Sequence, residues 1–249
     1  MASLCYHKDM RSAGYRLGQA AKKTWRRLSR RDWLLVLAGV ILALLVVKII
    51  SMIDNARTPV PYQSAGVSAP WLPSTVTYWD KTINEMGKRY NIDPNLIAII
   101  MTMESGGDAS ATSEANAQGL MQITPPTAKD IAARYLKKPV TKYDLYNPTT
   151  SIEFGAAYLA LLRDEFGTAK QGPSWNETVE LIAAGYNGGA GASNSLEEGQ
   201  GLTNDQTLIY SRDAFNMWRE RHAKDSPTFD RWKERGGSLL IDAAKAHNQ

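Results

Sequence analysis

The pattern of apolar and polar positions changes character twice along this chain. Residues 33–47 (WLLVLAGVILALLVV) are uncharged and almost wholly apolar, and the run continues past Lys48 to Ile53. These 21 residues make about 31 Å of helix, enough for a hydrocarbon layer about 30 Å thick. Lys48 lies near the far end, where its stem can carry the ammonium to the headgroups, and Trp33 lies at the near interface. The pattern predicts a single N-terminal transmembrane helix. A buried core helix would not need the basic run KKxxRRxxRR before it. A signal peptide rarely has 32 residues ahead of its apolar core, and no A-x-A cleavage site follows closely.

Residues 54–74 hold four prolines among small and polar residues and show no period, which predicts an extended tether. From residue 75 onward the period becomes that of amphipathic helices. Val76, Trp79, Ile83 and Met86 form one stripe of a helix over 75–90. Asp93-Pro94 is a cap and first-turn pair that opens LIAIIMTMES. After a glycine-rich loop at 106–119, Thr124-Pro125-Pro126 opens a short helix to about Lys137. Asn147-Pro148 opens a long one to Phe166, closed by Gly167, and Asn176 caps another that ends at Asn187-Gly188-Gly189. Helices over 203–222 and 238–247 complete the set. Residues 190–206 have the composition of a long, flexible loop, suited to a cleft wall or a partner contact. The chain thus reads as a basic tail (1–32), an anchor (33–53), a linker (54–74) and a mostly α-helical domain (75–249), without internal repeats.

A net charge of +4 and a pI near 9.0 raise the question of nucleic acid. The charge is unevenly placed, however. Residues 1–31 hold nine Lys/Arg against Asp9, whereas residues 54–249 hold 19 basic and 23 acidic side chains. The predicted folded part is mildly acidic, which argues against a nucleic-acid binder. Basic residues ahead of the apolar run place the N-terminus in the cytoplasm and everything after residue 53 beyond the inner membrane. Cys5 is the single cysteine, and His7, His222 and His247 are far apart, so no cysteine-based or zinc-type metal site is expected.

Glu104 ends an almost uncharged helix, with Ile100 and Met101 on its face. Apolar neighbours weaken hydration of the ionised carboxyl and raise its pKa, as a proton donor near neutral pH requires. A helix-end Glu pointing into solvent is the bland alternative on this segment alone. Two further blocks accompany it: Gly119-Leu120-Met121-Gln122-Ile123-Thr124-Pro125, and Tyr186-Asn187-Gly188-Gly189. Together with Glu104-Ser105-Gly106 they resemble, in order and spacing, the "ES", "GLMQ" and "AYNGG" blocks of the lytic transglycosylase domain of the goose-lysozyme type. Thr207 with Tyr210 resembles the later "ET..YV" block. The resemblance covers about residues 77–220, and two departures are visible: Gly185 stands for the first Ala of "AYNGG" and Gln206 for the Glu of "ET".

The resemblance implies a lysozyme-like helical fold and cleavage of peptidoglycan between N-acetylmuramic acid and N-acetylglucosamine, with Glu104 as general acid and then base, forming 1,6-anhydromuramyl ends without cofactor. It implies substrate-binding roles for Ser105, Gly119, Met121, Gln122, Tyr186, Asn187 and Tyr210. Gly119 lets backbone approach a sugar. Gln122 and Asn187 offer amides to N-acetyl groups. Tyr186 and Tyr210 offer rings or hydroxyls, Ser105 supports the carboxylate and the substrate's acetamido group, and for Leu120 and Met121 packing beneath the cleft is the preferred reading. Trp71, Trp79, Trp175, Trp218 and Trp232 read as packing rather than sugar platforms. Two rivals stay open: a hydrolytic goose-type lysozyme using Asp108 or Glu114 to place water, and a non-catalytic peptidoglycan-binding scaffold. Expected partners are glycan strands, membrane lipid along residues 33–53, and a secretion, conjugation or virion assembly. The expected location is the inner membrane with the domain periplasmic, or a virion membrane for a phage-encoded chain.

Overall fold

The computed structural model describes residues 29–57, 66–166 and 175–247. The basic tail with Cys5 and His7, the middle of the expected tether, the stop at Gly167 and the side chains of Trp175 and Asn176 lie outside the described residues. Two compact units divide the chain, Met1–Ala56 and Arg57–Gln249.

In the first unit, α1 spans Arg30–Arg57, extending beyond the predicted 33–53 at both ends. A reciprocal capping box opens it: the Ser29 N–H donates to Asp32 Oδ2 at 2.8 Å, and the Asp32 N–H donates to Ser29 Oγ at 3.3 Å. Leu34, Leu35, Val36 and Leu37 are consecutive and all exposed, so apolar surface surrounds the helix instead of forming a stripe. Among the described residues no helix is long and apolar enough to cross a membrane; the continuous described side chains of α1 end at Val46.

Among the described residues the second unit is mostly helical, with a non-helical loop between Ser105 and Pro125. Its only extended pairings among the described residues are the isolated bridges Thr112 with Gln118 and Gln118 with Ile123. The helices are α2 (Ser74–Thr77), α3 (Asp80–Tyr90), α4 (Pro94–Ser105), α5 (Pro125–Ile131), α6 (Pro148–Phe166), α7 (Trp175–Gly188), α8 (Ala190–Glu197), α9 (Asp205–Glu220), α10 (Pro227–Trp232) and α11 (Ser238–His247). Single π-helical turns extend α5 over Ala132–Leu136 and α10 over Lys233–Gly237. The predicted helix over 75–90 is broken at Tyr78 and Trp79, where Trp79 Nε1 donates to the Gly107 carbonyl at 3.3 Å.

Two expectations change. The last residues of the tether are docked: the Ser68 and Ala69 N–H groups donate to Asn95 Oδ1, and Ala69 and Leu72 are buried. The expected loop at 190–206 begins as α8. Its Ser193 is fully buried and donates to the Leu181 carbonyl at 2.9 Å, so packing onto α7 supplies what Gly, Ala, Ser and Asn lack in helix propensity.

The core centres on α4. The Asp93 side chain accepts from the Asn95 N–H at 2.9 Å, and Pro94 fills the first helical position. Asp93 is itself fully buried. Its Oδ2 accepts from Trp218 Nε1 at 2.8 Å, with Arg221 at 3.4 Å, which fixes the end of α9 against the start of α4. Gly106, at φ 61°, ends the helix, and a Cβ there would lie 2.6 Å from the Leu240 backbone. The last turn of α4 is therefore held against α11 by backbone.

Candidate active site

Every residue of α4 is buried except Glu104. Its carboxyl is the single functional group that this central helix directs toward solvent, with Ile100 and Met101 fully buried beside it. Burial disfavours the ionised form and pushes the Glu104 pKa from 4.5 to about 7, while a hydrogen bond from Tyr210 pulls the other way. The Tyr210 hydroxyl donates to Glu104 Oε1 at 2.6 Å, leaving Oε2 to carry the acidic proton. Burial, and then the nearby Glu104 charge, hold the phenols of Tyr210 and Tyr186 well above 10, so both remain protonated donors around neutral pH.

Both tyrosines are set by their helices. On α9, Asn204 caps the first turn by accepting from the Gln206 and Thr207 N–H groups. Thr207 then donates to Asn187 Oδ1 at 2.9 Å, one turn before Tyr210. Asn187 is exposed, and this bond engages its carbonyl oxygen and not its amide nitrogen. On α7, the Tyr186 hydroxyl donates to the Met121 carbonyl at 2.8 Å, and its ring lies 5.1 Å from that of Tyr158. Tyr158, which sequence reasoning did not single out, donates to the Gly185 carbonyl at 3.2 Å and supports the same wall.

The loop at 119–122 makes the third side. Ser105 Oγ donates to the Leu120 carbonyl at 2.8 Å, and the Met121 N–H donates to Ser151 Oγ at 3.1 Å. Gln122 adopts φ 45°, and its side-chain nitrogen donates to the Ala111 and Gly119 carbonyls at 3.1 and 3.0 Å. Its donors are thus committed to the loop, and Oε1 is what it can offer to an N–H of a substrate.

Three implied roles change in this setting. Met121 does not face a ligand: its side chain is fully buried and fills the space beside Gly155, so the loop contributes its carbonyl to Tyr186 instead. At Gly119 the close approach is made by the chain itself, since a Cβ there would sit 2.0 Å from the Leu145 carbonyl oxygen, at φ 72°. Ser105 is buried and spans Leu120 and the Gly107 N–H, which makes it a brace between α4 and the loop. Ser151 and Leu145 were missed because their roles arise from contacts about 30 residues distant in sequence.

The two departures are also accommodated. A Cβ at Gly185 would meet Ser193 Oγ at 2.3 Å, so the glycine goes with the docking of α8. Gln206 is exposed on the first turn of α9, and the Thr207 bond to Asn187 does not depend on it. The two candidate second carboxylates are held differently from Glu104. Asp108 is buried, with Oδ1 accepting from Ser110 and Oδ2 paired with His247 Nδ1 at 2.7 Å. Glu114 is exposed on the turn capped by Ser113. Trp71, Trp79, Trp218 and Trp232 pack in or against the core. Among the described residues no three His, Cys, Asp or Glu side chains gather as a metal site would need.

Residues 81–209, just over half of the chain, match the model of the transglycosylase SLT domain. A membrane-bound lytic murein transglycosylase C of Actinobacillus pleuropneumoniae is 40% identical over 143 residues, covering 56% of this chain and 38% of that protein. Its counterpart in Glaesserella parasuis is 44% identical over 113 residues, covering 44% and 30%. The chain thus spans only 30–38% of the length of these relatives. Among solved structures, an inactive mutant of a Pseudomonas aeruginosa lytic transglycosylase overlaps 66% of this chain and 25% of its own, at 23% identity and a TM-score of 0.44. The 70 kDa soluble lytic transglycosylase of Escherichia coli overlaps 61% and 27%, at 23% identity and 0.45. With its motif blocks gathered around Glu104 and more than half its length matched, the chain belongs to the transglycosylase SLT domain family.

Proposed function

We propose that this chain is a membrane-anchored lytic transglycosylase of peptidoglycan in which Glu104 serves as acid and then base. The carrying observation is the single solvent-reaching carboxyl of an otherwise buried helix, with a pKa near 7 and one oxygen held by Tyr210.

Glu104 Oε2 gives its proton to the oxygen joining N-acetylmuramic acid to N-acetylglucosamine, and the C1–O bond breaks with the electron pair leaving on that oxygen. The substrate's acetamido oxygen holds the charge developing at C1. Glu104, now a carboxylate steadied by the Tyr210 hydroxyl, removes the proton from the muramyl C6 hydroxyl. The freed oxygen closes on C1, giving the 1,6-anhydro ring and restoring the acid. No water enters the balance. Gln122 Oε1 and the Asn187 amide are suited to the N–H and C=O of N-acetyl groups, respectively. The engagement of Asp108 by Ser110 and His247 favours this one-acid route over hydrolysis by a pair of carboxylates.

Anchorage rests on α1. Its exposed apolar side chains need an apolar surrounding on all sides, the sequence prolongs the run to Ile53, and the basic residues before it orient the N-terminus to the cytoplasm. The SLT domain then works in the periplasm on glycan near the membrane. Purified peptidoglycan incubated with Glu104→Gln tests the reading. General acid and base help is worth about 10²–10⁴ in rate, so turnover falls below about a tenth of wild type with the fold retained, and a variant above that level overturns the assignment.

A further inference from the structure

The loop that follows Glu104 is gripped by a helix lying beyond the segment that matches the family. That segment ends at residue 209, whereas α11 spans Ser238–His247. The backbone of Leu240 and Ile241 abuts Gly106, two residues after Glu104, and Ile241 and Ala244 are the buried side chains of this helix. Thr75 Oγ1 adds a second hold by donating to the Gly106 carbonyl at 2.6 Å. The last turn of α11 reaches further along the same loop. There His247 Nδ1 lies 2.7 Å from Asp108 Oδ2 and 3.0 Å from Ser110 Oγ.

The hydrogen-bond network assigns the protons. The Ser110 N–H and O–H both donate to Asp108 Oδ1, at 2.8 and 2.7 Å. Oδ2 then accepts from His247, which places a proton on Nδ1. Asp108 is buried, and a buried carboxylate needs donors on both oxygens. These donors close the turn 108–111, in which the Ala111 N–H donates to the Asp108 carbonyl at 3.4 Å. The Ala111 carbonyl in turn accepts from the Gly119 N–H at 2.9 Å and from Gln122 Nε2 at 3.1 Å. A path of hydrogen bonds therefore runs from the last turn of α11 to the side chain of Gln122. The hold on Gly106 is separate from it, since that hold is made by the backbone of Leu240 and Ile241 near the start of the helix.

We infer that His247 is a positioning residue: its bond to Asp108 holds the Ala111 carbonyl where it orients the Gln122 amide and so presents Gln122 Oε1 to the substrate. Glu104 is held by other contacts, those of Gly106 with Leu240, Ile241 and Thr75 and its own bond from Tyr210. Loss of the clasp weakens substrate binding and leaves the acid in place. The inference rests on the proposed activity, in which Gln122 receives the N–H of an N-acetyl group.

The test is steady-state cleavage of soluble, uncross-linked glycan strands by the full chain in detergent, well below the melting temperature of each variant. His247→Ala raises KM about three- to tenfold, the worth of one hydrogen bond, while kcat stays within about twofold. His247→Asn recovers most of the loss, because its Nδ2 can donate from the place of Nδ1. An unmoved KM, a fall in kcat beyond that range, or no recovery with Asn overturns the inference. A merely structural role would lower the folded fraction, and with it the apparent kcat at constant KM. A second readout needs no turnover. Side-chain amide NMR follows the Gln122 NH₂ pair, identified by its absence from the spectrum of Gln122→Glu. His247→Ala speeds exchange of these protons with solvent about three- to tenfold. Inactivity of wild type on the strands refutes the transglycosylase reading, whereas an unchanged exchange rate at Gln122 refutes the clasp.

Discussion

Replacing Glu104 by Gln should stabilise the protein at neutral and alkaline pH, but not near pH 4.5. The folded protein binds this proton more tightly than the unfolded chain does, since burial lifts the pKa from 4.5 to about 7. The contribution is thus fully present below the unfolded value and is lost as pH rises through the folded one. An ionised Glu104 then costs up to about 3 kcal/mol relative to a group that never ionises. That figure is a ceiling, because the carboxyl retains some contact with solvent. Gln has nearly the same shape and can still accept the Tyr210 hydroxyl. The variant and wild type should melt together near pH 4.5, and the variant should melt about 5–10 °C higher at pH 8.5 for a domain of this size. Circular-dichroism melts of both full chains across that range measure the difference. A gap that stays constant with pH, or that widens toward acid, refutes the claim that desolvation governs this carboxyl.

Other outcomes follow from neighbouring contacts. Wild-type kcat/KM should fall above about pH 7 as Glu104 ionises. Tyr210→Phe removes a hydrogen bond that favours the carboxylate, so this alkaline limb moves to higher pH, and kcat falls about tenfold or more from the loss of a charge-assisted bond; a pH–rate profile reads both. Gly119→Ala places a Cβ on the Leu145 carbonyl at a left-handed φ, which should cost about 2 kcal/mol or more in urea unfolding and reduce activity with it. At Asp108, burial pushes the carboxyl up, but hydrogen bonds from Ser110 and His247 outweigh it and the net direction is down. That stability is present above the ordinary aspartate range and lost as pH falls through the depressed value. His247→Ala should thus cost about 1 kcal/mol at neutral pH, and that cost should shrink as pH falls through the depressed Asp108 value; urea unfolding at a series of pH values measures it.

Local signals carried much of this structure. Asp93-Pro94 and Gly106 bound α4 where capping chemistry placed its ends, and the apolar residues around Glu104 already implied a raised pKa. Order and spacing of three short blocks were enough for the family. What stayed hidden depends on partners far along the chain. The sequence favours packing for Met121, but the positive φ at Gly119 and Gln122 and the space beside Gly155 that take it inward depend on contacts the block itself does not show. The helix over Ala190–Glu197 has the composition of a loop and forms because Ser193 fits against Leu181 and Gly185. Residues 66–73 read as tether because Asn84 and Asn95, which hold them, gave no sign of that role.

The reaction's water balance is the most direct test of a lone acid at Glu104. Peptidoglycan digested by the full chain in water enriched in heavy oxygen, then analysed by mass spectrometry, should give muramyl ends one water lighter than hydrolytic products and free of label. Labelled, full-mass reducing ends would contradict the account and show that a second group places water at C1.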